Sequence, residues 1–318
     1  MASILVSIVP RESKDYEAST TRWIAAAEKP AGITVYSTSA EDVAKAILFS
    51  IAQELELAAV CGGHATRGAS STDGGLIIDL SKMRRVTVNE KSRTITAQVA
   101  HGLVIDNLLE VEAVLADGSI ITASEKITPD LFWAAKGAGI CFGIFTKFTY
   151  QAHEQGPVWG GILVFLREKP DALTQFASKL VIHKSGKSDV CWICGTSCSS
   201  TDPPNHCVLQ RHRGRSEEVL QAPPQPRPFV NNTALITYPK INKLLNGPTF
   251  HGIGRTMEGS AFLAPLDTRF AGSVFDDYVD FITKTLNAVF SAVLREFIPF
   301  GKILEVSQIA TSFANRGV

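Results

Sequence analysis

The sequence predicts an α+β fold in two domains, and three observations carry that reading. Residues 40–56 repeat apolar side chains at helical spacing between two strand-like runs, Ile33–Ser37 and Leu57–Val60, which makes a small βαβ start. From Leu76 to Gln151 the pattern changes to short alternating runs broken by polar turns, as antiparallel strands require. At 318 residues the chain is long enough for a second core beyond this first one.

Each element has a local cause. Thr38, with Glu41 three residues on, reads as a capping box, and Val43, Ile47, Leu48, Ile51 and Leu55 supply the apolar stripe of the helix. Arg85–Val88 and Thr94–Val99 alternate well enough to pair as a hairpin around the polar Asn89–Ser92. Val111–Leu115 and Ile120–Thr122 flank Asp117-Gly118, a hairpin turn signal. Thr128 is the expected cap, and Pro129 the expected first residue, of a short helix that stops at Gly137 after Lys136. Phe142–Gln151 follows as a strand. Further on, helices are expected over 170–181 and 275–297, covering an antiparallel sheet. The second of these sets Val279, Phe281, Ile282, Leu286, Phe290 and Val293 largely on one face, with Asp276 and Asp277 near its start to complement the dipole.

Composition excludes several functions. The 31 basic residues balance 31 acidic ones, which leaves no electrostatic drive toward nucleic acid or an anionic membrane. No run reaches the roughly 18 apolar residues of a membrane-spanning helix. The first residues carry no basic n-region, so no cleaved signal peptide is expected and the cytoplasm is the expected address.

Residues 58–80 are the most informative stretch. The strand Leu57–Val60 runs into Cys61-Gly62-Gly63-His64, then mostly small residues, then a second strand over Leu76–Leu80. Glycines permit positive φ and let a ligand approach backbone N–H groups, as a pyrophosphate loop requires; they also serve as plain turn formers. A histidine at the rim can be a handle on a cofactor, or the exposed residue of a tight connection. The string resembles the flavin-attachment loop of the berberine-bridge-enzyme-like branch of the vanillyl-alcohol-oxidase/PCMH flavoproteins. Residues 73–83, 101–123 and 129–148 resemble further blocks of that family, so the likeness covers most of residues 20–153. Residues 237–246 and 262–268 resemble the substrate domain of its fungal members.

The resemblance implies a PCMH-type FAD-binding domain of two subdomains over residues 1–153 and an α+β substrate domain over 154–318. It implies FAD as cofactor, with the pyrophosphate on Gly62, Gly63, Ala65, Gly68 and Ser70 and the ring bonded to His64. Gly139, Phe142, Gly143 and Ile144 match the block that passes beside the flavin and adenine; a packed, glycine-rich strand entry is their other reading. Cys61 stands where relatives carry glycine, and it reads as a buried small residue rather than a second flavin ligand.

The chain also departs from the family. After Ala100, relatives carry several dozen residues that include a second glycine-rich flavin loop and, in bicovalent members, a flavin-bonding cysteine. Here Val99-Ala100 runs straight into His101, which reads as an ordinary surface histidine, and the FAD domain is expected to be incomplete. The chain is also expected to end short of the segment that in relatives packs back on the FAD domain and brings active-site Tyr and Asn residues. No catalytic base is assigned. The activity implied is oxidation of a small organic substrate by hydride transfer to flavin, with O2 as acceptor; a non-catalytic flavoprotein remnant is the second reading.

A third reading comes from Cys191 and Cys194 with Cys198, His206 and Cys207, which offer zinc or redox chemistry. A second C-x-x-C is lacking, His206 and Cys207 are direct neighbours, and residues three apart on a strand point to opposite faces, so no metal site is expected. Residues 211–228 shift to charge and proline and read as a solvated linker. Asn231-Asn232-Thr233 is a glycosylation sequon.

Overall fold

A computed structural model of the chain describes residues 7–98, 105–153, 156–165, 174–175, 188–195, 205–212, 230–241, 243–244, 267–285, 288, 291–297 and 306–313. It divides into two units: residues 1–154, 250–258 and 306–318 make the first, and 155–249 with 259–305 the second.

The first unit contains two sheets. Strands β1 (Ser7–Pro10), β2 (Ile33–Tyr36), β3 (Leu57–Val60) and β4 (Leu76–Asp79) form a four-stranded sheet in the order β1-β2-β4-β3. Both β2 and β3 run parallel to β4, while β1 is antiparallel to β2. Helix α1 (Tyr16–Thr20) leads toward β2, and helix α2 (Ala40–Ala52) is the crossover between β2 and β3. Val43, Ala44, Ala46 and Ile47 of α2 pack against Val35, Leu76, Ile78 and Leu80. Ile77 turns the other way, onto Ala31, Ala58 and Val60. Covered on both faces, β4 runs apolar without alternation over Leu76–Ile78 before it ends on Asp79.

The start and stop of α2 both differ from the sequence expectation. The N-cap is Ser39, one residue later than Thr38: Ser39 Oγ accepts from the Asp42 amide at 3.2 Å, and the Asp42 carboxylate accepts from the Ser39 and Thr38 amides at 3.1 Å each. Burial pushes Asp42 up, but the hydrogen bonds from Thr38 and Ser39 outweigh it and hold the carboxyl below its usual range. The helix ends at Ala52 rather than residue 56. Glu54 takes the left-handed conformation, φ 52°, while its amide donates to Ile51 O and the Leu55 amide donates to Ser50 O. That is a Schellman stop with glutamate where glycine is favoured, which is why no stop signal was legible. Glu54→Gly is expected to stabilise the protein by about 1 kcal/mol, seen as a higher urea midpoint at unchanged slope.

The second sheet holds β5 (Val86–Asn89), β6 (Thr94–Gln98), β7 (Leu108–Val114), β8 (Ile120–Ser124) and β9 (Ile144–Gln151), all antiparallel, in the order β5-β6-β9-β7-β8. Helix α3 (Pro129–Ala135) covers it, with Phe132 and Ala135 against Leu108, Val111 and Ala123. Pro129 opens α3 as expected. Thr128 does not cap it: the residue is left-handed, φ 48°, and its hydroxyl donates to Thr122 O at 3.2 Å instead. Tyr150 of β9 stacks on Phe148 with its hydroxyl buried and without a partner among the described residues. Burial pushes that hydroxyl up to about 12. Tyr150→Phe is therefore expected to cost nothing and to gain up to about 1 kcal/mol of thermal stability, read by calorimetry.

Residues 306–313 also belong to this unit and fold onto the end of α3. Trp133 Nε1 donates to Ile309 O at 2.9 Å, Ser312 Oγ donates to Ala134 O at 2.8 Å, and the Ala138 amide donates to Ser312 Oγ at 3.0 Å. A side chain at Gly137 would collide with the backbone of Ser312 and Phe313.

In the second unit, β10 (Val158–Phe165), β11 (Ser188–Gly195), β12 (Asn205–His212), β13 (Val230–Asn231), β14 (Ala234–Ile236) and β15 (Ala292–Phe297) form a six-stranded antiparallel sheet. Its order is β13-β10-β12-β11-β15, with β14 also on β10. A short helix α4 (Tyr238–Ile241) follows β14. The helix expected over 275–297 is instead α5 (Thr268–Lys284), capped by Asp267 Oδ1 accepting from the Arg269 amide at 2.9 Å, and 292–297 is strand. Asp276 and Asp277 thus sit mid-helix. The apolar positions still converge, because Val279 and Ile282 of α5 and Val293 of β15 pack on Phe275 and Tyr278. Of the helix expected over 170–181, residues 174–175 are helical and the rest lie outside the described residues. Arg211 and His212 complete β12 opposite Gly160 and Trp159, so the linker expected over 211–228 does not begin there; residues 213–228 lie outside the described residues.

Candidate functional site

The site starts where β3 ends, at the carboxyl edge of the parallel strands, the edge at which open α/β sheets take their ligands. Cys61 is half-buried and packs on the core between α2 and β4, which fixes where the glycine loop departs. Burial pushes its thiol up, and Asp79 adds to this, so Cys61 is a packed thiol and not a thiolate nucleophile. Gly63 and Gly68 take φ +67° and +76°, a backbone that other residues resist. A Cβ at Gly62 would stand 2.8 Å from His64 Cδ2, so any side chain there displaces the imidazole.

His64 is exposed at the loop rim, with its ring 5.6 Å from that of Trp23 at a 46° tilt. The loop closes through the Gly68 amide donating to Ala65 O at 3.2 Å and the Ser71 amide to Gly68 O at 3.0 Å. Gly68 thus spends its amide on the turn. The amides of Gly62, Gly63, Ala65 and Ser70 have no partner among the described residues. Several uncommitted donors on one glycine loop fit the diphosphate of a dinucleotide.

Beneath the loop lies Arg22, only 2 % exposed. Its Nε donates to Ser70 O and Ser71 Oγ at 3.1 Å each, Nη2 to Ser70 O at 2.9 Å, and Nη1 to Thr21 O at 2.8 Å and Ser19 O at 3.2 Å. The next residue, Trp23, donates its amide to Gly63 O at 3.1 Å. Burial pulls the guanidinium below its usual range, while Asp79 and Glu28 oppose this, and it stays a cation. Thr72 Oγ1 donates to Glu56 Oε2 at 2.6 Å at the loop's far end. Sequence reading missed Arg22 and Trp23. They stand in an irregular stretch between a short helix and β2, and the partners that single out Arg22 are 48 and 49 residues away.

The second predicted block is partly packing. Gly139 opens a tight turn, where a Cβ would stand 3.0 Å from the Phe145 ring, and Gly143 lies against Val114 O, 2.7 Å from where its Cβ would be. Ile144 packs on the same α2–β4 core as Cys61, so both glycine segments leave one core. Phe142 is 49 % and Ile140 82 % exposed beside them. His101 and the Val99-Ala100 junction lie outside the described residues. Cys191 and Cys194 fall on β11, His206 and Cys207 on β12, with Cys194 opposite His206 in register; Cys198 lies outside the described residues.

Comparison with known proteins gives this geometry a context. Residues 31–101 match the family described as FAD binding domain. The chain is 27% identical over 347 residues to the FAD-linked oxidoreductase pgmH of Aspergillus terreus, covering 95% of this chain and 71% of that protein. That matched span is longer than the 318 residues here, so the relative carries residues opposite gaps in this chain. Among solved structures, Physcomitrella patens BBE-like 1 superposes with a TM-score of 0.77 at 14% identity, over 98% of this chain and 79% of that one. Glucooligosaccharide oxidase from Acremonium strictum, described with a 6-S-cysteinyl, 8α-N1-histidyl FAD, superposes with a TM-score of 0.71 at 18% identity, over 98% of this chain and 77% of that one. At such identities these structures share the fold. Among the described residues, no helix is long and apolar enough to cross a membrane.

Proposed function

We propose that this chain, which belongs to the PCMH-type, berberine-bridge-like FAD-linked oxidoreductases and takes FAD as its cofactor, oxidises a small organic substrate with O2 as the final acceptor. FAD, when bound, supplies a ring that accepts a hydride from the substrate, and the pair of electrons then reduces O2 to hydrogen peroxide. The chain's own residues bind and orient. The amides of Gly62, Gly63, Ala65 and Ser70 hold the diphosphate, and Arg22 adds a fixed positive charge below them. His64, exposed at the loop rim, is the residue that would hold the ring against loss. Ile140 and Phe142 offer exposed apolar surface beside Gly139 and Gly143 that would take the apolar faces of the cofactor.

The observation that carries this reading is the Gly62–Ser70 loop, with its uncommitted amides and with His64 fixed at its rim. Purified protein, incubated with FAD and precipitated with acid, tests it. Flavin absorbance retained in the pellet, together with peroxide formation on adding a small alcohol or sugar substrate, supports the reading; a colourless pellet rejects the histidyl bond. A non-catalytic remnant is the second reading, favoured by one observation: the match to the FAD binding domain ends at residue 101, at the junction where the family resemblance leads one to expect a second glycine-rich segment.

A further inference from the structure

The Gly62–Ser70 loop is mostly small residues, with His64 and exposed Arg67 its only long side chains, and a segment of that kind has little side-chain surface with which to hold its own shape. An unheld loop pays its ordering entropy at the moment a ligand binds, and a pre-formed one does not. Two consecutive residues of the segment after α1 reach its two ends. The Trp23 amide donates to Gly63 O near the start, and the Arg22 fork donates to Ser70 O and Ser71 Oγ near the finish. The other edge of the guanidinium is fixed by the carbonyls of Ser19 and Thr21, so its plane is set from both sides.

We propose that Arg22 and Trp23 form a two-point clamp that pre-forms the loop and aims the His64 imidazole, which makes them positioning residues for flavin binding and attachment. This rests on the reading of Gly62–Ser70 as the flavin loop. Arg22 is buried, with Asp79 and Glu28 near enough to support its charge but no carboxylate at ion-pair distance among the described residues, so part of that charge is left for the loop above it, where a diphosphate would sit. Lysine could not reproduce the clamp, because one ammonium cannot span acceptors on both sides of a planar fork. The Trp23 ring bounds the His64 ring on one side, and on another the absent Cβ of Gly62 leaves room that any side chain would take. An imidazole confined in this way presents its nitrogen in few orientations, which favours bond formation to a ring held nearby.

Hydrogen exchange on the flavin-free full chain tests the clamp without any cofactor. Arg22→Met is expected to speed exchange of the 62–70 amides roughly tenfold to a hundredfold while leaving the β7–β9 pairing unchanged. Arg22→Lys, which keeps the charge and spares the fold, should fall between. Unchanged exchange in Arg22→Lys and Arg22→Met overturns the clamp. In FAD titrations Arg22→Met should raise Kd at least tenfold. Trp23→Leu should leave Kd within about threefold but slow acid-stable attachment at least tenfold and remove the ring-current shift of the His64 protons, with Trp23→Phe restoring both. Attachment at the parent rate in Trp23→Leu overturns the aiming role. If the parent chain binds FAD yet never holds it through acid, the histidyl reading fails, while exchange, affinity and the ring-current shift still decide the clamp.

Discussion

His64→Ala is expected to leave no flavin in acid-precipitated protein, while Cys61→Ala leaves the bound amount unchanged. The two residues stand three apart on one loop, yet the structure treats them differently. His64 is exposed at the rim beside Trp23, where a ring can reach it. Cys61 faces the α2–β4 core, and its thiol is pushed up by burial and by Asp79, which starves it of the thiolate that a bond to flavin would need. The measurement is the visible spectrum of the washed, denatured pellet. Loss of colour in the cysteine variant alone would reverse the assignment.

The next largest effect is expected from the junction after Ala100. A chain given a glycine-rich segment of family length between Ala100 and His101 is expected to bind FAD at least a hundredfold more tightly than the chain as it stands. Each backbone hydrogen bond to a charged group is worth roughly 1.5–3 kcal/mol, so two or three more donors to the diphosphate move affinity by orders of magnitude. The same segment would cover apolar surface beside the site, where Ile140 is 82 % and Phe142 49 % exposed, and soluble yield should rise with it. Titration of both chains with FAD, alongside size-exclusion chromatography, reads both effects. A parent chain that purifies as stoichiometric, active holoenzyme would sink the idea of a missing wall.

Where local chemistry decides the structure, the sequence was readable. The β2–α2–β3 start, the β5–β6 and β7–β8 hairpins and the Pro129 helix start all rest on periodicity or turn residues that act over a few positions. The misreadings share a cause. Glu54 stops α2 from a conformation its residue type does not advertise. Thr128 had two possible hydroxyl partners and bonds Thr122 rather than capping α3. In 275–297 the apolar spacing was real but divided between a helix and a strand that meet in space. The Gly62-Gly63-His64 turn was legible as a turn from its glycines, whose conformations the structure shows; its reading as a flavin loop came from the family resemblance and not from the spacing. Arg22 and Trp23 were not, since their roles exist only once the chain returns 40 or more residues later.

The segment over residues 306–313 has a consequence for how the protein comes to be. Its hydrogen bonds to Trp133, Ala134 and Ala138 join positions 174 to 178 residues apart. During synthesis residues 7–153 emerge early, but the far end of α3 stays uncovered until residues 306–313, more than 170 positions later, have left the ribosome. Closing so long a loop costs little more than closing one half its length, so the join is cheap in entropy and slow in arrival. For that interval the Trp133 indole, the Ala134 carbonyl's outer lone pair and the notch at Gly137 stand open, while the Ala138 amide keeps its bond to Ala134 O, and a nascent chain paused before Val306 would present this end of α3 to chaperones or to another nascent copy.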